Sequence, residues 1–210
     1  MLRKCLLFTA FLSLSFYSPA MATVVEYAFD GRITGVGLPV FGINPTIGSA
    51  VTGSFSYDTA LTPSLSISFL ANYQVSSPYA LVAFIDGRRI ESNGVFSVTI
   101  QNNFGGNVED TLDISTSSAV IDGTQTLDGI FALSFASTNP NTFADLSLPG
   151  HLNLSDFNAW HYGILTRSGN NQEIIEFSVE HLTQVPEPSI WLLFGSGLAG
   201  LAYWRRKKTA

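Results

Sequence analysis

Apolar and polar residues alternate along most of the chain between residues 23 and 184. In segments 51–57, 64–69 and 96–101, an apolar residue or glycine at every second position is separated from the next by Ser, Thr or Gln. This period of two, with small polar residues on the second face, is typical of half-buried antiparallel strands. Further strand-like runs cover 24–29, 80–85, 111–115, 130–136, 160–166 and 174–182.

Short Asp-Gly pairs interrupt these runs and predict turns. They are Asp30-Gly31, Asp86-Gly87, Asp122-Gly123 and Asp128-Gly129. Aspartate and glycine both tolerate the left-handed backbone that tight hairpin turns require. The polar segment 168–171 should close the last hairpin, between the run at 160 and the run at 174. The chain therefore reads as strands joined by short turns.

About nine short strands with frequent turns predict a mainly β fold, a single antiparallel β-sandwich of the jelly-roll type. A closed β-barrel is the alternative. No helical period of useful length occurs in this part, although 154–159 is suited to one helical turn. The predicted extracytoplasmic domain spans residues 23–184.

The first 22 residues have the layout of a secretory signal peptide. Two basic residues precede an apolar run over 6–17, and Ala20 and Ala22 form the A-x-A pattern of a cleavage site. A run of this length is too short to remain as a membrane-spanning helix. Cys5, the only cysteine, would leave with the signal helix, so we expect a mature protein without disulfides or thiols.

The last 26 residues, 185–210, have a different composition. Residues 190–204 carry no charge, and they predict a transmembrane helix over 189–204 with aromatic residues at its end. The basic tail consists of Arg205, Arg206, Lys207 and Lys208. Positive charge stays on the cytoplasmic side, so the domain before the helix should lie outside. Residues 184–188 would then connect the domain to the inner membrane.

Charge excludes one class of partner. Between residues 23 and 188 there are four arginines, no lysine and sixteen acids, which gives a net charge of −12. A surface of this sign repels phosphate backbones, so nucleic acid is not an expected partner.

Pro186, Glu187 and Pro188 stand just ahead of the apolar run and form a stiff, extended segment that a helix cannot absorb. A terminal Pro-Glu-Pro, a short apolar helix and an Arg/Lys cluster, in this order, resemble the PEP-CTERM sorting signal. The resemblance covers residues 185–208. It implies an exported protein of a Gram-negative, exopolysaccharide-producing bacterium. It also implies a membrane-held precursor, processing by an integral-membrane exosortase, and delivery to the cell surface or extracellular matrix.

Three sets of residues are candidates for chemistry in the middle of the chain. His161 and His181 lie on the last two predicted strands, but they belong to no metal-binding motif, and we expect no metal or other cofactor. An oxygen-rich stretch offers weak calcium ligands, namely Asn107, Glu109, Asp110 and Asp113. Neither a nucleophile motif nor a defined pair of carboxylates appears, so catalysis is not expected.

An aromatic cluster near residue 160 suggests binding of glycans. Trp160 and Tyr162, with Asp156 nearby, combine flat apolar rings with hydrogen-bonding groups, which suits a sugar. The abundance of phenylalanine favours Trp160 as a buried core residue over this role.

The sequence thus predicts a non-enzymatic, exosortase-sorted protein of the cell surface or matrix, associated with exopolysaccharide. The alternatives are a secreted glycan-binding module and, third, a polysaccharide hydrolase.

Overall fold

The computed structural model describes residues 24–103 and 110–186, and these form eleven antiparallel strands. The strands are β1 (Val24–Val36), β2 (Ala50–Asp58), β3 (Leu65–Ile67), β4 (Leu70–Ser76), β5 (Leu81–Ile85), β6 (Arg88–Ser92), β7 (Val95–Gln101), β8 (Asp110–Ile121), β9 (Gln125–Ser137), β10 (Trp160–Arg167) and β11 (Asn170–Val185). A single 3-10 turn covers Leu154–Asp156, inside the segment suited to a helical turn. The predicted mainly β, antiparallel class is confirmed.

Eight of these strands close into a barrel. Their order is β8-β6-β5-β2-β1-β11-β10-β9, and β9 pairs with β8 to complete the ring. The predicted sandwich is therefore wrong, and the alternative, a closed barrel, is the fold. Alternation of apolar and polar residues is the same in both architectures. What decides between them is the long pairing of β8 with β9, from Asp110↔Ser137 to Ile121↔Gln125.

The remaining three strands extend from the first half of β8. A register shift between Thr116 and Ser118 divides β8. Before the shift its free edge pairs with β7, and after it the same edge pairs with β6. β4 pairs with β7, and β3 pairs with β4 at the outer edge.

The predicted alternation is confirmed in the core strands. Val51, Phe55 and Tyr57 of β2 are buried, as are Phe96, Val98 and Ile100 of β7. In β3 the expectation is wrong, because Leu65 and Ile67 are 54% and 45% exposed. β3 is a three-residue strand at the edge of the sheet, so nothing covers its second face.

Turn predictions are confirmed at three places and wrong at two. Asp86-Gly87 and Asp122-Gly123 form hairpin turns with positive φ at both residues, and the turn within 168–171 joins β10 to β11. In contrast, Asp30-Gly31 lies inside β1 and Asp128-Gly129 lies inside β9. Glycine is needed at those two positions because the backbone of a neighbouring strand lies too close for a side chain. In the sequence, an Asp-Gly pair of this kind cannot be distinguished from one that forms a turn.

The interior of the barrel holds a cluster of aromatic rings. Phe55 packs against Tyr27, Tyr57 and Phe135, with ring centroids 5.3, 6.3 and 6.5 Å away. The segment 138–159 joins β9 to β10 and packs over this cluster, because the Tyr57 hydroxyl donates a hydrogen bond to the Pro149 carbonyl at 2.8 Å. Tyr73 of β4 anchors the same segment through the Leu146 carbonyl at 2.7 Å.

Two tyrosines of this cluster predict a loss of stability at high pH. Burial raises the pKa of Tyr27 to about 12 and that of Tyr57 well above its ordinary value. Above pH 10 the unfolded chain releases these protons and the folded protein does not, so the free energy of unfolding should fall as pH rises towards 12. Denaturant unfolding at a series of pH values would measure this slope.

Phenylalanine variants of the two residues separate their contributions. The Tyr27 hydroxyl lies near Tyr57 and the Leu152 backbone but makes no hydrogen bond of good geometry. Tyr27→Phe should therefore raise stability at pH 7 by about 1 kcal/mol, whereas Tyr57→Phe should lower it by about 1 kcal/mol because it loses a bond. Both variants should flatten the alkaline slope. A slope equal to that of the wild type in both would contradict this account.

The predicted signal helix over 1–22 and the predicted transmembrane helix over 189–204 lie outside the described residues. Within residues 24–103 and 110–186, no helix is long and apolar enough to cross a membrane.

Candidate functional sites at one end and one face of the barrel

The two ends of the barrel domain lie side by side. β1 and β11 are antiparallel neighbours, with Glu26 opposite Val185 and Tyr27 opposite Gln184. The Gln184 side chain also contacts the His151 ring at 3.1 Å and the Gly150 carbonyl at 3.3 Å. The expected connection over 184–188 is therefore shorter than predicted, since its first two residues belong to β11. Pro186 is exposed and follows the strand directly.

The aromatic candidates lie on the outer face of β10. Trp160 is 39% exposed and Tyr162 is 43% exposed. Successive residues of a strand point to opposite faces, so these two rings point the same way and away from the core. The preference for Trp160 as a core residue is therefore wrong, because this residue occupies the outer face of β10 and its side chain is partly exposed.

Strand register places four polar residues in line with Tyr162. We call this line the polar row, and it consists of Asn72, Thr99, Asp113, Ser134 and Tyr162, one residue from each of β4, β7, β8, β9 and β10. Residues directly opposite one another in adjacent strands share a face of the sheet. The row therefore crosses five strands on the outside of the protein.

Hydrogen bonds join the members of the polar row to one another. The Asn72 amide donates to the Thr99 hydroxyl at 2.8 Å, and the Trp160 indole N–H donates to the Ser134 hydroxyl at 3.1 Å. Burial raises the pKa of the Asp113 carboxyl, and the neighbouring Ser134 and Thr111 hydroxyls partly offset this. The indole N–H is thus bonded to a hydroxyl whose strand position is directly opposite Asp113.

Comparison with known protein families gives a match to the C-terminal part of the chain. Residues 184–207 match the family model described as the PEP-CTERM protein-sorting motif. The chain carries a PEP-CTERM sorting motif. This confirms the resemblance found in residues 185–208 and identifies the segment as one by which exported proteins are presented to an exosortase, a membrane enzyme. No curated protein and no solved structure matches the chain.

Most residues of the PEP-CTERM motif lie outside the described part. Pro186 is described, whereas Glu187, Pro188 and the basic tail Arg205–Lys208 are not. The predicted signal cleavage residues Ala20 and Ala22 also lie outside it.

Asp156, the third glycan candidate, lies away from the aromatic pair. It belongs to the 3-10 turn and lines a cleft of about 340 Å³ with Asn139, Asn141 and Asn158. Neither Trp160 nor Tyr162 is among the described residues that line this cleft. The structure therefore brings Trp160 and Tyr162 together and does not add Asp156 to them.

The calcium candidates divide between two faces of β8. Asn107 and Glu109 lie outside the described residues. Asp110 is fully buried, and its carboxylate accepts hydrogen bonds from the backbone N–H groups of Asn103 at 3.0 Å and Phe143 at 2.8 Å. Asp113, three residues on, faces outward. Among the described residues no group of three His, Cys, Asp or Glu is placed to hold a metal ion.

The three histidines are separate from one another. His151 contacts Gln184, and His161 contacts the Val179 carbonyl. The His181 ring lies 2.7 Å from the Asp30 carboxylate on the outside of β1 and β11. Although they lie on neighbouring strands, His161 and His181 do not face each other, since the first contacts the β11 backbone and the second a β1 side chain.

Sequence reasoning did not find Asn72, Thr99 or Ser134. Thr99 belongs to the polar half of an alternating segment, which predicts contact with solvent and nothing more, Ser134 lies in the mostly apolar run 130–136, and Asn72 lies outside the predicted strands. Only the register of strands distant in sequence shows that they lie in line with Tyr162.

Proposed function

We propose that this protein is a non-catalytic component of the cell surface or extracellular matrix of a Gram-negative bacterium. It is exported, held in the inner membrane as a precursor and processed by an exosortase. The barrel is then released or re-anchored outside, where it associates with exopolysaccharide.

The position of the two processing points on the barrel carries this proposal. β1 begins at Val24, just beyond the predicted cleavage site at Ala22, and β11 ends at Val185, where the matched motif begins. Because Glu26 pairs with Val185, the start of β1 and the end of β11 lie at the same end of the barrel. A precursor held by its C-terminal segment presents that end to the membrane. A cut beyond Pro186 would leave every strand pair of β11 in place.

The described side chains support a role without catalysis. Each histidine contacts an amide, a carbonyl or a carboxylate, and none of the three contacts a serine hydroxyl in the described part of the chain. The imidazole–hydroxyl pair on which nucleophilic catalysis depends is therefore not assembled among these residues. The exposed Trp160 and Tyr162 support contact with a polysaccharide instead.

The decisive experiment is the intact mass of the protein from its native host, measured separately for each cell fraction. We expect a mass that begins near Thr23 and ends near 186–189, recovered outside the inner membrane. A mass that ends at Ala210 and stays in the inner membrane would make residues 185–210 a permanent anchor and would refute processing.

Changes to the sorting motif should block processing. Glu187→Ala, and separately deletion of 205–208, should leave nearly all of the protein as uncleaved precursor, because the enzyme must recognise the motif and the basic tail must hold the segment in the membrane. The matched control is Glu180→Ala, which removes an exposed barrel acid that pairs with Arg32 at 3.4 Å. Normal processing of both motif variants would count against the sorting hypothesis.

A further inference from the structure

We infer that the polar row, together with Trp160, binds a single chain of an uncharged, hydroxyl-rich polysaccharide that lies across strands β4, β7, β8, β9 and β10. This deepens the proposed function by naming the class of ligand and the site. The inference depends on the proposed function in one respect, namely that the barrel is exposed outside the cell.

The distribution of charge on the barrel selects an uncharged ligand. All four arginines of the described residues already pair with acids, and the nearest to the row is Arg32, two strands beyond Tyr162 in the same register line. These pairs are Arg32–Glu180, Arg88–Asp122, Arg89–Glu91 and Arg167–Glu173. The polar row contains no cation, and Asp113 is its one carboxylate. An anionic polymer would meet no positive partner here and would be repelled by the acidic chain as a whole.

The polar row offers hydrogen-bonding groups that are already oriented. The Asn72 amide is fixed on Thr99, and the Trp160 indole is fixed on Ser134. Those bonds leave the Thr99 hydroxyl hydrogen and acceptor positions on the Asp113 carboxylate for a ligand. A sugar hydroxyl both donates and accepts, so it satisfies either kind of group. Preorganisation lowers the entropy lost when the ligand binds.

The aromatic end of the row supplies apolar contact. Trp160 and Tyr162 occupy adjacent outward positions of β10, and both rings are partly exposed. A sugar ring has an apolar C–H face and a rim of hydroxyls, so it can stack on an aromatic ring while its rim reaches polar neighbours. Elsewhere on the barrel Phe84 is also exposed, but its register line differs from the polar row because it contains charged residues of both signs, Arg89 and Asp30.

The shape of the site indicates a linear polymer. Neighbouring strands lie about 4.8 Å apart, so five strands give the row a length of about 19 Å. A monosaccharide is normally enclosed in a cavity, whereas Trp160 and Tyr162 line neither of the clefts described in residues 138–159. An open row of this length suits several consecutive sugar rings.

The test uses the mature protein recovered from the host, in which Trp160 is the one tryptophan if processing removes Trp191 and Trp204. If the protein is recovered unprocessed, the whole chain is used in detergent with both of those residues changed to Phe. The protein is titrated with three neutral linear polymers of hexoses (a β-glucan, a mannan and a galactan) and with one polyuronate, and its tryptophan fluorescence emission is recorded.

We expect at least one neutral polymer to shift the emission, with no effect of the polyuronate. Trp160→Ala and Tyr162→Ala, measured by affinity electrophoresis, should each weaken binding about tenfold, and Asp113→Asn about threefold. Phe84→Ala is the matched control and should bind like the wild type. Melting temperatures establish that all variants are folded.

Four outcomes would overturn the inference. The first three are the absence of binding to any neutral polymer, wild-type affinity in both aromatic variants, and preferential binding of the polyuronate. Self-association that disappears in Trp160→Ala would also overturn it, because the face would then be a contact between two copies of this chain. Failure here with correct processing in the mass experiment would leave the proposed export and sorting intact.

Discussion

Replacing Gly31 with alanine should lower the free energy of unfolding by about 3 kcal/mol, because overpacking at this position cannot be relieved locally. A Cβ atom at Gly31 would lie 1.8 Å from the Ser178 carbonyl oxygen and 2.8 Å from its carbonyl carbon. The contact is with backbone, which cannot rotate away as a side chain can. β11 also pairs with β10 on its other side, with Ser178 opposite Tyr162, so it cannot shift without disturbing a second strand.

The close approach at Gly31 follows from a bulge. Asp30 pairs with His181 and Gly31 pairs with Val179, so Glu180 is an extra residue on β11 at this point. A bulge sharpens the bend of a strand, which helps a sheet to curve into a barrel.

The matched control is Gly150→Ala, because nothing lies within 4 Å of the Cβ position at Gly150. Its effect should stay within about 0.5 kcal/mol of zero. Denaturant unfolding of both variants is the measurement. Equal stability of the two would show that the β1–β11 contact is looser than described.

Replacing Asp110 with alanine should cost about 4 kcal/mol, since a buried and a partly buried hydrogen bond to a carboxylate are lost together. The carboxylate joins Asn103, at the end of β7, to Phe143, in the segment that packs over the core. Without it, both backbone N–H groups lose this acceptor, and the Phe143 N–H is left buried. Asp110→Asn keeps one acceptor oxygen and should cost about half as much.

The control for Asp110 is Asp128→Ala, which removes an exposed carboxylate from β9 and should change stability by less than about 0.5 kcal/mol. Thermal unfolding with millimolar calcium and with a chelator completes the experiment. If the carboxylate has only this structural role, the melting temperature is the same in both. A higher melting temperature in calcium that Asp110→Ala abolishes would instead support the calcium hypothesis.

The fold class could be predicted because alternation is a local property. The spacing of Val51, Phe55 and Tyr57 alone predicts a strand, and the burial of these residues confirms it. Turns were predictable where glycine serves the backbone conformation, as at Gly87 and Gly123, which have positive φ. They were mispredicted at Gly31 and Gly129, where glycine makes room for a neighbouring strand.

The candidate sites divide in the same way. The PEP-CTERM motif is a contiguous segment, so its residues were readable without a structure and the family match confirms them. Trp160 and Tyr162 could be named as candidates from the sequence, but their exposure could not be predicted. A solvent-facing aromatic residue and a buried one have the same local sequence pattern. Asp110 looked like a calcium ligand because its burial and its contact with Phe143, 33 residues away, leave no local trace.

By itself, then, the sequence determined that the chain is mainly β and where the sorting motif begins, since both depend on neighbouring residues. Only the tertiary structure decided that the sheet closes through β8 and β9, that the start of β1 pairs with the end of β11, and that five distant residues form the polar row. The physical reason is that strand partners and register arise from contacts between residues far apart in the chain. A period of two says which face a residue occupies, but not what lies opposite it.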